Sequence, residues 1–169
     1  MKHWTVPTLL LLTSPALAEP LTANWTIDVG RDEKTWENVA TLAFESSNEI
    51  ADEYAARMVH PQLAFLCKPG GDGTISVRLD WRRFISSFNT EVGFKADERE
   101  LLLVNWGVDK SNRITQPRSA SDSQELIAYL AGADNVQVEV IPYSASLITA
   151  QFNISGINEA LQQLAARCL

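Results

Sequence analysis

Two cysteines, Cys67 and Cys168, follow an N-terminal stretch with the marks of an export signal, and this combination limits the fold more than any other feature of the chain. Met1-Lys2-His3 leads into an apolar run through Leu9, Leu10, Leu11 and Leu12, then Ala16-Leu17-Ala18 before Glu19-Pro20. A basic start, a short apolar core and a small-x-small cleavage site define a secretory signal peptide. The run is too short to cross a bilayer, and no later segment approaches the roughly 18 apolar residues a spanning helix needs. The expectation is a signal peptide over 1–18 and a single globular periplasmic domain over 19–169. Neither cysteine lies at the cleavage point, where a lipid would be attached.

Export gives the cysteine pair its meaning, because an oxidising compartment lets two distant thiols close and persist as a disulfide. Two cysteines allow one connectivity. Joining Cys67 to Cys168 closes a loop of about 100 residues, for which chain entropy gives about 4 to 5 kcal/mol. The rival readings are a metal site or a catalytic thiol. Two cysteines without clustered histidines make a poor zinc site, and Cys168 is next to last in the chain.

Removing the signal leaves about 150 residues, the size of one ordinary domain. With 46% apolar and 21% charged residues the composition is globular. The formal charge of -7, made one unit more negative by loss of Lys2, and the lack of any Lys/Arg run exclude a nucleic-acid footprint. Anionic lipid is disfavoured for the same reason.

The texture is β-rich. Trp25 to Gly30 reads as a strand, and Trp36 to Phe44 as a strand or a short helix. His60 to Cys67, the turn Lys68-Pro69-Gly70-Gly71-Asp72-Gly73, and Thr74 to Asp80 form the clearest hairpin, with Ile75, Val77 and Leu79 alternating with polar residues. Leu63, Phe65 and Cys67 share one face, which turns Cys67 inward. Further strands are expected at Phe84 to Phe88, Glu91 to Ala96, Leu101 to Trp106, Val136 to Ile141 and Leu147 to Asn153. Ser121 with Gln124 fits a capping box, and Gly132 is placed to end that helix. A second helix begins at Ser155 or Gly156, where Ile157, Leu161, Leu164 and Cys168 recur at helical spacing. The fold class is therefore α+β: mainly antiparallel β, sandwich-like, with two short helices and one disulfide.

Chemistry is sparse. His60 is the one histidine beyond the signal and precedes Pro61, a structural setting. There is no H-E-x-x-H, G-x-S-x-G, glycine-rich phosphate loop or C-x-x-C pair. Asp28, Asp32 and Glu33 lack the spacing of a calcium loop and read as a solvated acidic face. Trp25, Trp36, Trp81 and Trp106 are groove or core residues, core being the commoner use in strands. No catalytic residue, cofactor or metal is expected.

The second half is similar to a known family. Pro61-Gln62-Leu63 leading to Cys67, Val92-Gly93-Phe94-Lys95-Ala96-Asp97, Trp106, and Phe152 to Gly156 followed by Ala160, Leu161 and Cys168 resemble the periplasmic type VI secretion-associated proteins of the TagO/VasI family. That family has P-x-L-x-x-x-C, then V-x-x-R-x-D, a tryptophan, a hairpin, and F-x-x-x-G before a helix that ends in cysteine. Lys95 stands where the family has arginine, keeping the charge and losing the planar fork. The resemblance implies an exported, disulfide-closed accessory protein, with envelope or secretion-system proteins as partners and Lys95, Asp97 and Trp106 as binding residues. Lys95 with Asp97 has a second reading, an ion pair along one strand. Two other functions remain open. A cell-wall glycan hydrolase would show two carboxylates in a cleft beside an exposed tryptophan. An inhibitor or immunity-type protein would present a protruding loop such as Lys68 to Gly73.

Overall fold

Alternating apolar residues mark most of the longer strands, and all but two short strands among the described residues pair in one continuous antiparallel order. The computed structural model describes residues 25–32 and 36–169; the signal segment, its cleavage point and Glu33 lie outside them. In chain order the elements are β1 (Thr26–Arg31), β2 (Asn38–Glu45), β3 (Ile50–Ala51), β4 (Met58–Val59), β5 (Gln62–Cys67), β6 (Ser76–Asp80), β7 (Thr90–Ala96), β8 (Leu102–Val108), β9 (Ile114–Gln116), α1 (Ala120–Leu130), β10 (Asn135–Val140), β11 (Ile148–Asn153) and α2 (Ile157–Ala165). Nine strands form a sheet in the order β1-β2-β5-β6-β9-β8-β7-β10-β11, while β3 and β4 make a small separate ribbon. The chain thus adopts the α+β, mainly antiparallel fold that its patterning predicts.

The sheet curls until its far end approaches β2. Ser47, just past β2, donates its N–H to the Gln151 carbonyl at 2.7 Å. Asn48 accepts from the Gln151 N–H at 2.7 Å and donates to the Thr149 carbonyl at 2.9 Å. A loop therefore meets the outer edge of β11. Between the two halves lie Leu42, Phe44, Leu63, Phe65, Phe94 and Phe152, all within 1% of full burial. Each such side chain contributes about 1.5 to 3 kcal/mol relative to exposure. Phe44 meets Phe65 edge-on at 6.2 Å, and Phe94 packs on Trp106 at 5.0 Å.

The helices close the core. Gly156 precedes α2 with φ of 79°, a left-handed conformation that glycine adopts at no steric cost. Ile157, Ala160, Leu161 and Leu164 then face inward, where α2 packs against β2 and β5. The helix stops at Ala165, and Cys168 is carried by the turn beyond it, its N–H bonded to the Ala165 carbonyl at 3.0 Å. That turn preserves the inward direction, so Cys168 is fully buried and bonded to Cys67 across a Cα separation of 5.9 Å. This lies within the usual span of a disulfide.

Some local expectations are corrected. Phe84 to Phe88 is not a strand, because its backbone groups bond to loops rather than to a ladder: Phe84 N–H to Glu53, Ile85 N–H to the Asn112 carbonyl, and Ile85 O to the Tyr143 N–H. The cap of α1 is Ser119, two residues before the expected Ser121; its hydroxyl accepts from the Asp122 N–H at 3.1 Å. Of the two readings for Trp36 to Phe44 the chain takes the strand, from Asn38. Strands β3, β4 and β9 have only two or three residues each, too few for alternation to register.

Candidate functional site

Lys95 and Asp97 line one cleft of about 320 Å3, together with Ser47, Asn135, Gln137 and Gln151. Strand register produces this: Lys95 pairs with Gln137, which pairs with Gln151, making a polar row on the exposed face. The roles of the two residues differ. Asp97 has φ of 45°, and its carboxylate accepts from the N–H groups of Asp134 at 3.1 Å and Asn135 at 3.0 Å. It clasps the start of β10. Lys95 points to solvent and forms no ion pair among the described residues, so the along-strand pairing with Asp97 is not made. Trp106 does not join them. It is 1% exposed, its ring lies on Phe94, and its Nε1–H has no acceptor among the described residues.

A wider cleft of about 690 Å3 is bordered by Arg57, His60, Arg82 and Arg113. Each arginine is already engaged: Arg57 with Asp52 at 3.3 Å, Arg82 with Asp80 at 3.4 Å, Arg113 with Glu53 at 2.7 Å. The backbone N–H of Ala56, bonded to the Asp52 carboxylate at 2.9 Å, holds that group below its ordinary value. Glu53 is lowered by its own backbone N–H, by that of Phe84 and by Arg113. Glu45 and Asp80 also face this cleft, both registered to Gln62 on the intervening strand. That places them about 10 Å apart at Cα by strand spacing. Among the described residues no tryptophan, tyrosine or phenylalanine lines the cleft.

The third surface is apolar. The segments 84–89 and 141–147 are tied together by the Tyr143 N–H to Ile85 carbonyl bond of 2.8 Å. Phe88 and Tyr143, each 68% exposed, meet edge-on at 6.4 Å. Ile141, Leu147 and Leu103, all more than half exposed, extend the patch around a notch of about 130 Å3. Single exposed apolar side chains are ordinary, whereas a contiguous group marks a contact surface.

The remaining sequence candidates have structural places. His60 Nδ1 lies 2.9 Å from the Ser46 carbonyl and Nε2 lies 3.6 Å from Glu49. Asp32 is buried and ion-paired with Arg78 at 2.7 Å, while Asp28 is exposed on β1, so they do not gather. Among the described residues no three His, Cys, Asp or Glu side chains are grouped to hold a metal, and no helix is long and apolar enough to cross a membrane. Trp81 is core, Trp25 packs half-buried against the core, and Trp36 is exposed. The loop from Lys68 to Gly73 is largely exposed, with Lys68 paired to Glu37 at 2.9 Å.

Sequence reasoning missed the apolar patch, having placed Phe88 in a strand and left Tyr143 between two expected strands, Val136 to Ile141 and Leu147 to Asn153. One signal was present: Gly93 interrupts an otherwise good strand, which often marks a close approach. The architecture is a disulfide-closed α+β fold on one curled, antiparallel sheet, with a polar cleft, an arginine-bordered cleft and an apolar patch on its surface. No family model and no curated protein matches the chain. Among solved structures it is similar to invasion associated protein B from Bartonella henselae, with a TM-score of 0.54 and 14% identity over 85% of this chain and 93% of that one. At that identity the likeness is one of fold.

Proposed function

We propose that this protein is an exported accessory module of the cell envelope that works through protein contacts, with components of a type VI secretion system as its partners. The observation that carries the reading is the exposed patch of Phe88, Tyr143, Ile141, Leu147 and Leu103 on a disulfide-fixed β scaffold. The similarity of Pro61 to Cys168 to the TagO/VasI pattern supports the choice of partner. The disulfide accords with an oxidising compartment, and the name of the fold neighbour, an invasion associated protein, accords with a place outside the cytoplasm.

A photo-reactive residue placed at Phe88 tests this in living cells, with the same residue at exposed Glu98 as control. Adducts with a secretion component from position 88 and none from position 98 are expected. Equal labelling from both, or none from position 88, overturns the contact reading. A glycan hydrolase ranks second: Glu45 and Asp80 share a cleft, yet the exposed tryptophan that such an enzyme would place beside them is missing from its lining.

A further inference from the structure

Gly93 makes a gap in the outer face of the sheet. Register sets it between Leu103 on β8 and Glu139 on β10. A Cβ at this position would lie 2.8 Å from Glu139 Cγ and 3.1 Å from its Oε1, so the glutamate side chain leans over the glycine. Glu91, two residues earlier on the same face, also lines the notch, and Leu103, Ile141 and Leu147 supply its apolar walls. Neither the Glu91 nor the Glu139 carboxylate has an ion-pair or hydrogen-bond partner among the described residues. Lys95, next along the same face of β7, pairs with neither.

The notch holds about 130 Å3. Small-molecule sites run to roughly 300 to 1,000 Å3, so this one accommodates a side chain rather than a whole ligand. Apolar walls beneath two unpartnered carboxylates match a long aliphatic stem with a cationic head, which is the form of lysine and arginine. The adjoining Phe88 and Tyr143 match apolar residues on the same segment. The formal charge of -7 repels a second copy of the chain and an anionic lipid surface alike.

We infer that the Gly93 notch receives a lysine or arginine of a cationic amphipathic segment of a partner protein, its stem against Leu103, Ile141 and Leu147 and its head between Glu91 and Glu139. The inference rests on the contact reading above and specifies the partner's chemistry.

The probe is a short synthetic peptide of alternating leucine and lysine, titrated by fluorescence anisotropy into the oxidised protein at physiological salt, beside a leucine–glutamate peptide. The lysine peptide should bind and the glutamate peptide should not. Glu91→Gln with Glu139→Gln, which keeps side-chain volume, should weaken binding about tenfold, as expected for the loss of two partly exposed ion pairs. Gly93→Ala, which displaces Glu139, should weaken it as well. Glu98→Gln with Glu100→Gln removes the same charge elsewhere and should leave it unchanged. Equal loss from both double variants, or no loss from the first, overturns the notch. So does a concentration-dependent dimer in sedimentation that the notch variants abolish, which would make the occupant a second copy. If position 88 still cross-links to a secretion component while the notch variants bind normally, the inference fails and the contact reading stands.

Discussion

Cys67 and Cys168 are 101 positions apart in sequence and 5.9 Å apart at Cα, which joins the turn after α2 to the end of β5 inside the core. Cys67 is 4% exposed and Cys168 fully buried, so the bond is shielded from reductants while the fold is intact. Everything from β6 to α2 lies within the closed loop.

The replacement of both cysteines by serine or alanine should lower the free energy of unfolding by about 2 to 5 kcal/mol, most of it from the freer unfolded chain. Urea denaturation of the two forms measures this directly. An unchanged midpoint would mean that the bond constrains little that the core does not already hold.

Trp81 and Thr115 are fully buried, and the indole Nε1–H donates to the Thr115 hydroxyl at 3.0 Å. Thr115→Val should cost about 1 to 3 kcal/mol, because it leaves a buried indole N–H without an acceptor. Trp81→Phe should cost more, since it adds a cavity. In a double-mutant cycle the pair should cost less than the sum of the single changes. Strict additivity would show that the hydrogen bond contributes nothing net.

Acid should destabilise the protein through a specific set of carboxylates. Asp52 is lowered by the Ala56 N–H, Glu53 by backbone N–H groups and Arg113, Asp72 by Thr74, and Asp122 by the Ser119 hydroxyl. Each folded-state value lies below the unfolded one, so over the interval between them the unfolded chain binds more protons and stability rises with pH. The contribution is complete above the ordinary carboxylate range, near pH 4 to 5, and is lost as pH falls through the folded-state values. Melting temperature followed from pH 6 to pH 2 should decline below about pH 4. Asp52→Asn should flatten that decline, and an identical pH profile in the variant would rule Asp52 out as a contributor.

The parts of the fold legible in the sequence are those where one local pattern decides. Val77 and Leu79 alternate with polar neighbours, and β6 follows; Ile157, Leu161 and Leu164 recur at helical spacing, and α2 follows. Cys67 and Cys168 were placed on inward faces by two separate patterns, and the bond joins them. Phe84 to Phe88 went wrong because its hydrogen-bond partners are Glu53, Asn112 and Tyr143, all distant in sequence. The candidate site was half legible. Lys95 and Asp97 do share a cleft, but Trp106 was separated from them by strand parity, since it lies on the inner face with Phe94 while Lys95 lies on the outer one. The role of Asp97 as a backbone clasp depends on Asp134 and Asn135, more than 35 positions away.

Asn48 has a consequence for how the protein behaves in a crowd. The outermost strand of an open sheet invites a like strand from another molecule to extend the ladder, and that is how native β proteins begin to polymerise. At Thr149 and Gln151 the docking groups are already occupied by the carboxamide of Asn48 and the backbone of Ser47. A side chain and a neighbouring backbone N–H thus stand in for a further strand, and fibre growth from that edge must first pull them away.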